Sequence, residues 1–175
     1  MKKHLLLYSL LIASAVATRL APHAWNFAPV TAIAIVAAIY LPFRHAIALP
    51  LVIRFFSDAI IGFFSWPLMI AVYLSHLFGV LMGVWVKKHK TPFRVLAAPV
   101  ISAGVFFLAT NFAFLYHGYT HDLSGILLSY TNGLPFLRGT LLGDVVYTAG
   151  FVAAFEGVLA WQKSRTVASY FKLTR

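Results

Sequence analysis

Apolar residues fall in six runs: about Leu5–Leu20, Ala28–Leu41, Ala46–Phe64, Leu68–Val86, Val95–Leu115 and Phe136–Trp161. Runs of this kind predict membrane-spanning helices, because a bilayer core needs roughly 20 helical residues. The second run is short and Ala-rich and is closed by Pro42, so tilt or burial among neighbours is expected. The third carries Pro50 in its first turn or two. The predicted fold is an all-α integral membrane protein, a bundle of six transmembrane helices forming one domain over residues 1–175.

Polar residues mark the breaks, and they are sorted by charge. Of 14 lysines and arginines, all but Arg19, Arg54 and Arg138 fall in alternate gaps. They are Lys2 and Lys3; Arg44; Lys87, Lys88, Lys90 and Arg94; and Lys163, Arg165, Lys172 and Arg175. Spanning helices keep basic residues on the cytoplasmic side. The pattern therefore predicts both termini inside a bacterial cytoplasmic membrane. The outer loops would be Arg19–Phe27, Phe63–Pro67 and Tyr116–Pro135, and the inner ones Pro42–His45 and Lys87–Arg94. Within the long last outer loop, the half-apolar stretch Leu123–Tyr130 reads as an interfacial helix. Trp25, Trp66, Tyr116 and Tyr119 fit an outer aromatic belt, and Trp85 and Trp161 an inner one.

Composition agrees. Hydrophobic residues make up 61% of the chain and charged residues 10%, against about half and a quarter in soluble domains. The net charge of +10 would suggest nucleic acid, but it sits in short clusters at the ends of apolar segments, where it sets topology or meets anionic lipid. The chain has no cysteine, which excludes disulfides, thiolate catalysis and cysteine metal sites. Met1-Lys2-Lys3, the run Leu5–Ile12 and Ala15-Val16-Ala17 also match a cleavable signal peptide. Phosphate-loop, nucleophile-elbow and metalloprotease motifs are absent from the sequence, and no enzyme activity is expected.

Polar groups inside a bilayer are costly and tend to mark function. Asp58 stands near the outer end of the third run, Asn111 in the outer third of the fifth and Asp144 in the outer third of the sixth. Arg19 ends the first run, and His23 and Asn26 follow in the first outer loop. Their common depth predicts an outward-facing pocket, with aromatic residues of the first and last outer loops, Trp25 and Tyr130 among them, covering a ligand. Each residue also has a structural assignment. Arg54 and Asp58 are four apart and would neutralise one another; Asp144 would pair with Arg138 or Arg19; Asn111 would bond across a helix contact.

His4, His45 and His89 accompany basic clusters, and His76 lies mid-run as a core histidine. His117 and His121, four apart beside Asp122, would form a metal-binding face on a helix, with His23 a further candidate ligand. Ala13 and Ala17, also four apart, give the first helix a small-residue face that another helix could approach closely.

In size, span number, outer first loop, long last loop and the face Ala13-x-x-x-Ala17, the chain resembles the substrate-binding S components of energy-coupling-factor (ECF) vitamin transporters. The stretches Arg19-Leu-Ala-Pro-His-Ala-Trp-Asn-Phe-Ala-Pro29, Ser57-Asp58, Thr110-Asn111-Phe112, Leu134-Pro135-Phe136 and Gly143-Asp144 resemble an uncharacterised family of small membrane proteins related to S components. The resemblance implies binding of a small vitamin-like compound from the outer side. It also implies docking of an ATPase-driven coupling subunit on the Ala13/Ala17 face and inward release by toppling of the bundle. The nearest functional likeness is the solitary cobalamin-specific S component. There, by the same likeness, a cysteine near the start of the fourth span would serve the cobalt. This chain has none, so an imidazole, His23 first, would take the axial position, or the cobalt would have no protein ligand. Three other readings remain. A self-contained channel or small-solute or metal-ion transporter would need an inner polar path, for which only Arg54, His76 and Glu156 are candidates. A metalloenzyme on His117, His121 and Asp122 would lack a third strong ligand. A scaffold protein would bind nothing.

Overall fold

The computed structural model describes residues 8–9, 11–15, 18 and 26–173, with side chains to residue 165. The described residues are helical or in turns, with no strand among them. Five α-helices follow the N-terminal segment: α1 (Val30–Tyr40), α2 (Phe43–Ile61), α3 (Trp66–Lys88), α4 (Pro92–Thr110) and α5 (Leu123–Leu173). A short 3-10 turn, Ala113–Leu115, lies between α4 and α5. The first predicted span falls largely outside the described residues. Its described residues 8–9, 11–15 and 18 are helical, with Leu11 and Ala15 buried in the core.

α1 is apolar around its whole circumference, and Val30 through Ile39 are all buried. Such a helix belongs at the centre of a bundle, and α1 indeed packs against α2, α3, α4 and α5. Small residues allow the closest of these contacts. A Cβ on Gly83 of α3 would lie 2.3 Å from the Ile35 carbonyl oxygen, and one on Gly79 would lie 3.2 Å from the Thr31 methyl. The outer surface of the bundle is also apolar. Phe56, Ile60, Ile70, Leu74, Leu108 and Leu142 are each more than half exposed. Exposed apolar surface of this extent needs covering by lipid or by protein.

α3, α4 and α5 are long and apolar enough to cross a membrane. α2 has 19 residues but carries Arg44, Arg54 and Asp58 within them. It ends at Gly62, whose φ of 117° falls where side-chain-bearing residues are strained. α5 departs from the expected boundaries: it starts at Leu123 rather than Phe136 and runs through Pro135. The expected loop Tyr116–Pro135 thus shortens, and Leu123–Tyr130 is the first two turns of the long helix rather than a separate interfacial helix. The cause is local. Asp122 Oδ1 accepts from the Gly125 amide at 2.8 Å and from the Ser124 and Thr120 hydroxyls, capping the helix there. Ser129 then donates to the Asn111 carbonyl (2.6 Å) and Tyr130 to that of Leu108 (2.8 Å), holding the new start against the end of α4.

The turns sort by end. The α1–α2 and α3–α4 turns share one end, with Arg44, Lys87, Lys88, Lys90 and Arg94. There Glu156 takes hydrogen bonds from Tyr40 and Lys90, and Arg94 lies 4.9 Å over the Trp85 ring. The α2–α3 turn and the α4–α5 connection share the other end.

Candidate functional site

A chamber of about 490 Å³ lies at the end opposite the lysines. α2 supplies Arg54; the start of α3 supplies Leu68 and Val72; the end of α4 supplies Phe106, Thr110 and Asn111; and α5 supplies Ser129, Asn132, Gly133 and Phe136. Asn26, Phe64, Tyr116 and Tyr119 reach it from the connections. Below it a second cavity of about 50 Å³ is lined by Asn26, Thr31, Arg54, His76, Phe106, Thr140 and Asp144, with Ala28 and Val30. Asn26, Arg54 and Phe106 line both. Asn26 has φ 58°, the left-handed region that Asn tolerates better than most residues, and this places its side chain at the junction.

The upper wall is tied together by the chain itself. Tyr116 donates to the Thr110 carbonyl at 2.5 Å, and Asn132 Nδ2 to the Tyr119 hydroxyl at 3.2 Å. Burial and the neighbouring Tyr119 raise the Tyr116 phenol above its ordinary pKa, so it stays a donor. Asn111 Nδ2 donates to the Phe107 carbonyl at 3.0 Å. Its Oδ1 occupies the space a Cβ at position 133 would take, 2.2 Å from that point, so only glycine fits at 133.

Arg54 is the cation common to the two cavities, and its charge is balanced. Its Nε donates to Asp58 Oδ2 at 2.9 Å, Tyr73 donates to the same oxygen at 3.1 Å, and the guanidinium lies 5.6 Å from the Phe64 ring centre. Asp58 itself is 2% exposed and lines neither cavity. It acts by holding Arg54.

Asp144, also 2% exposed, is held differently. Thr31 lies beside it, and Thr31 Oγ1 is 3.3 Å from His76 Nδ1. Its Oδ2 is fully buried yet makes no hydrogen bond. Arg138 is exposed and forms no ion pair with it, so the expected Asp144–Arg138 pairing is not formed. Thr140 and Thr148, one turn before and one turn after Asp144, are buried on the same face.

Of the expected pocket residues, Asn26, Asn111 and Asp144 line the two cavities, and Asp58 supports them from behind. Tyr130 does not line them. Its hydroxyl bonds α4, and its ring lies 5.7 Å from that of Phe107. Arg19, His23, Trp25 and Ala17 lie outside the described residues; Ala13 is exposed on the N-terminal segment. The metal face expected at His117 and His121 is not formed, because residues 116–122 are not helical. His121 instead stacks on Phe114, at 4.4 Å between ring centres. Asp122 is committed to its cap, and no group of three metal-ligating side chains occurs among the described residues.

Arg54, Thr31, His76, Thr140, Tyr116 and Tyr119 complete the site beyond the expected set. Thr140 carried a readable signal, one turn before Asp144 on a helix. Tyr116 and Tyr119 read as belt aromatics because a single chain gives no sign that they fold over a cavity.

A family model described as a family of unknown function (DUF6580) matches residues 1–168, and the chain belongs to that family. No curated protein and no solved structure matches it.

Proposed function

We propose that this chain is the membrane-embedded substrate-binding component of an uptake system. It takes a small water-soluble, vitamin-like compound into the chamber from the side opposite the lysines. The observation that carries this reading is the two-tier cavity. An apolar bundle holds a chamber of about 490 Å³ lined by five aromatic rings and by Asn26, Arg54, Asn111 and Asn132. That volume is within the ~300–1,000 Å³ of small-molecule sites. Polar groups in such surroundings are costly unless a ligand or partner uses them.

In this reading six helices span the bilayer, the N-terminal one included, and the lysine-rich end faces the cytoplasm. The chamber ends at the floor formed by Thr31, His76, Thr140 and Asp144, so release requires a change of access rather than a continuous pore. The exposed small-residue face around Ala13 is where an ATPase-driven coupling subunit would dock. For a cobalamin-like ligand the axial imidazole would come from His23, because His117 and His121 line neither cavity and His76 lines only the small lower one.

The test is direct. Protein purified in lipid nanodiscs is analysed by native mass spectrometry for a co-purified small molecule, alongside Leu68→Trp, which enlarges a half-buried side chain of the chamber wall. A bound mass present in the parent and lost from a folded Leu68→Trp supports the reading. The same mass retained by the filled variant sinks it.

A further inference from the structure

The lower cavity carries a chemical preference that the chamber alone does not, and this preference rests on the binding function proposed above. We infer that the small cavity under the chamber is a cation subsite, built to receive a positively charged nitrogen, an ammonium or amidinium group, at one end of the ligand. The remainder of the ligand lies in the aromatic chamber above.

The argument begins with charge. Two carboxylates are buried in this part of the bundle, Asp58 and Asp144. Asp58 is matched by Arg54 and by a hydrogen bond from Tyr73. Asp144 has a hydrogen bond from Thr31 but no cation partner among the described residues, and its Oδ2 is buried without a hydrogen bond. Arg54, the described cation lining the same cavity, already gives its Nε to Asp58. A buried carboxylate oxygen left without a donor is expensive. It is retained where something absent from the chain supplies the donor.

Size and lining define that donor. A cavity of about 50 Å³ admits a charged nitrogen group but not a ring. The neighbouring Thr140 hydroxyl donates to the Phe136 carbonyl at 3.1 Å, which leaves its oxygen lone pairs for a donor from the cavity. Asn26 at the junction offers a further amide oxygen. A carboxylate with hydroxyl and amide acceptors suits an N–H-rich cation, whereas an anion would meet Asp144 head-on. Above the junction, Phe106 belongs to both cavities, so a planar ring attached to the cation would lie against an aromatic wall.

The experiment uses three ring-matched probes: benzamidine (cationic), benzamide (neutral) and benzoate (anionic). Binding to the full chain in nanodiscs is measured by calorimetry for the parent, Asp144→Asn, Thr140→Leu and the chamber-filling Leu68→Trp. The expected result is at least tenfold tighter binding of benzamidine than of the other two. The preference should be lost in Asp144→Asn while benzamide binding is kept. Thr140→Leu, which fills the lower cavity and spares the carboxylate, should lose it as well, and so reads the subsite even if Asp144→Asn does not fold. Equal binding of benzamide, as a protonated carboxyl would give, overturns the cation subsite and leaves the chamber standing. A preference for benzamidine that survives both subsite variants does the same. Failure of all three probes to bind the parent, or binding unaffected by Leu68→Trp, overturns the subsite and the chamber together.

Discussion

Asp58 and Asp144 sit on different helices, equally buried, and their substitution should have opposite consequences. Asp58→Ala removes the partner of Arg54 and leaves a guanidinium in an apolar bundle, a change that costs about 3–5 kcal/mol when a buried pair is broken. Its thermal unfolding temperature should fall, and Arg54→Met with Asp58→Leu should recover most of the loss while ligand binding stays impaired. Asp144→Asn replaces a buried carboxyl group whose Oδ2 has no hydrogen bond, so in the absence of ligand it should keep or raise that temperature. A fall in Asp144→Asn as large as in Asp58→Ala would show that Asp144 is structurally paired. The first relation was legible in the sequence, since residues four apart on a helix meet. The second was not, because Thr31, bonded to His76 on α3, is brought beside Asp144 only by the packing of α1. Asp122 gives a third prediction, in pH. Hydrogen bonds from the Gly125 amide and from Ser124 and Thr120 lower its pKa to about 2, below the ordinary 3.8. Its cap is therefore complete above pH ~4 and lost as pH falls through the folded value. Hydrogen-exchange protection at residues 123–130, taken relative to the intrinsic rate at each pH, should fall between pH ~4 and ~2, and Asp122→Ala should show the low protection at neutral pH with no such step.

Among the elements, α1 shows how a helix too short for a bilayer can still organise a membrane bundle. Burial on every side lets it act as a core strut, and glycines on α3 set its distance. Gly83→Ala would place a methyl carbon against the Ile35 backbone, where no rotamer can relieve the clash. Overpacking of this kind costs about 1–3 kcal/mol. A measurably lower unfolding temperature is expected for Gly83→Ala, with little change in Gly104→Ala or Gly150→Ala, where a Cβ meets nothing within 4 Å. Equal effects at all three would mean that helix propensity, not the α1–α3 contact, governs. The end of α3 was legible because its apolar run is closed by Lys87, whereas the fifth run, read as Val95–Leu115, overran the end of α4 at Thr110 by taking in the Ala113–Leu115 turn. The start of α5 was not legible. Asn132, Gly133 and Pro135 read as a break, and the run Thr120-His121-Asp122-Leu123-Ser124-Gly125 holds a capping signal that a hydropathy reading passes over. Moving that start by three turns brings Ser129, Asn132 and Gly133 into the chamber wall, so the missed boundary also hid half of one side of the site.

At the scale of the molecule, charge and topology coincide. The two turns rich in lysine and arginine fall at one end, and both cavities fall towards the other, joined to it by the 111–122 connection. Sequence gave the depth of Asn26, Asn111 and Asp144 because charge sorting defines an outer side. It could not give the floor of the site, which consists of residues from α1, α3 and α5 that look like core. The sidedness can be tested one helix at a time, because the chain has no cysteine and each introduced thiol is therefore the single target. Between His89 and Gly118, both exposed, stands only α4; between Ser65 and His89 stands only α3. In intact cells, Ser65→Cys and Gly118→Cys should react with a membrane-impermeant maleimide, and His89→Cys should react only after permeabilisation. Labelling of His89→Cys from outside with protection of the other two would invert the orientation and place the chamber on the cytoplasmic side, turning uptake into capture from within. Equal labelling of all three would mean that α3 and α4 do not cross, and the apolar coat of the bundle would then have to be covered by protein instead of lipid.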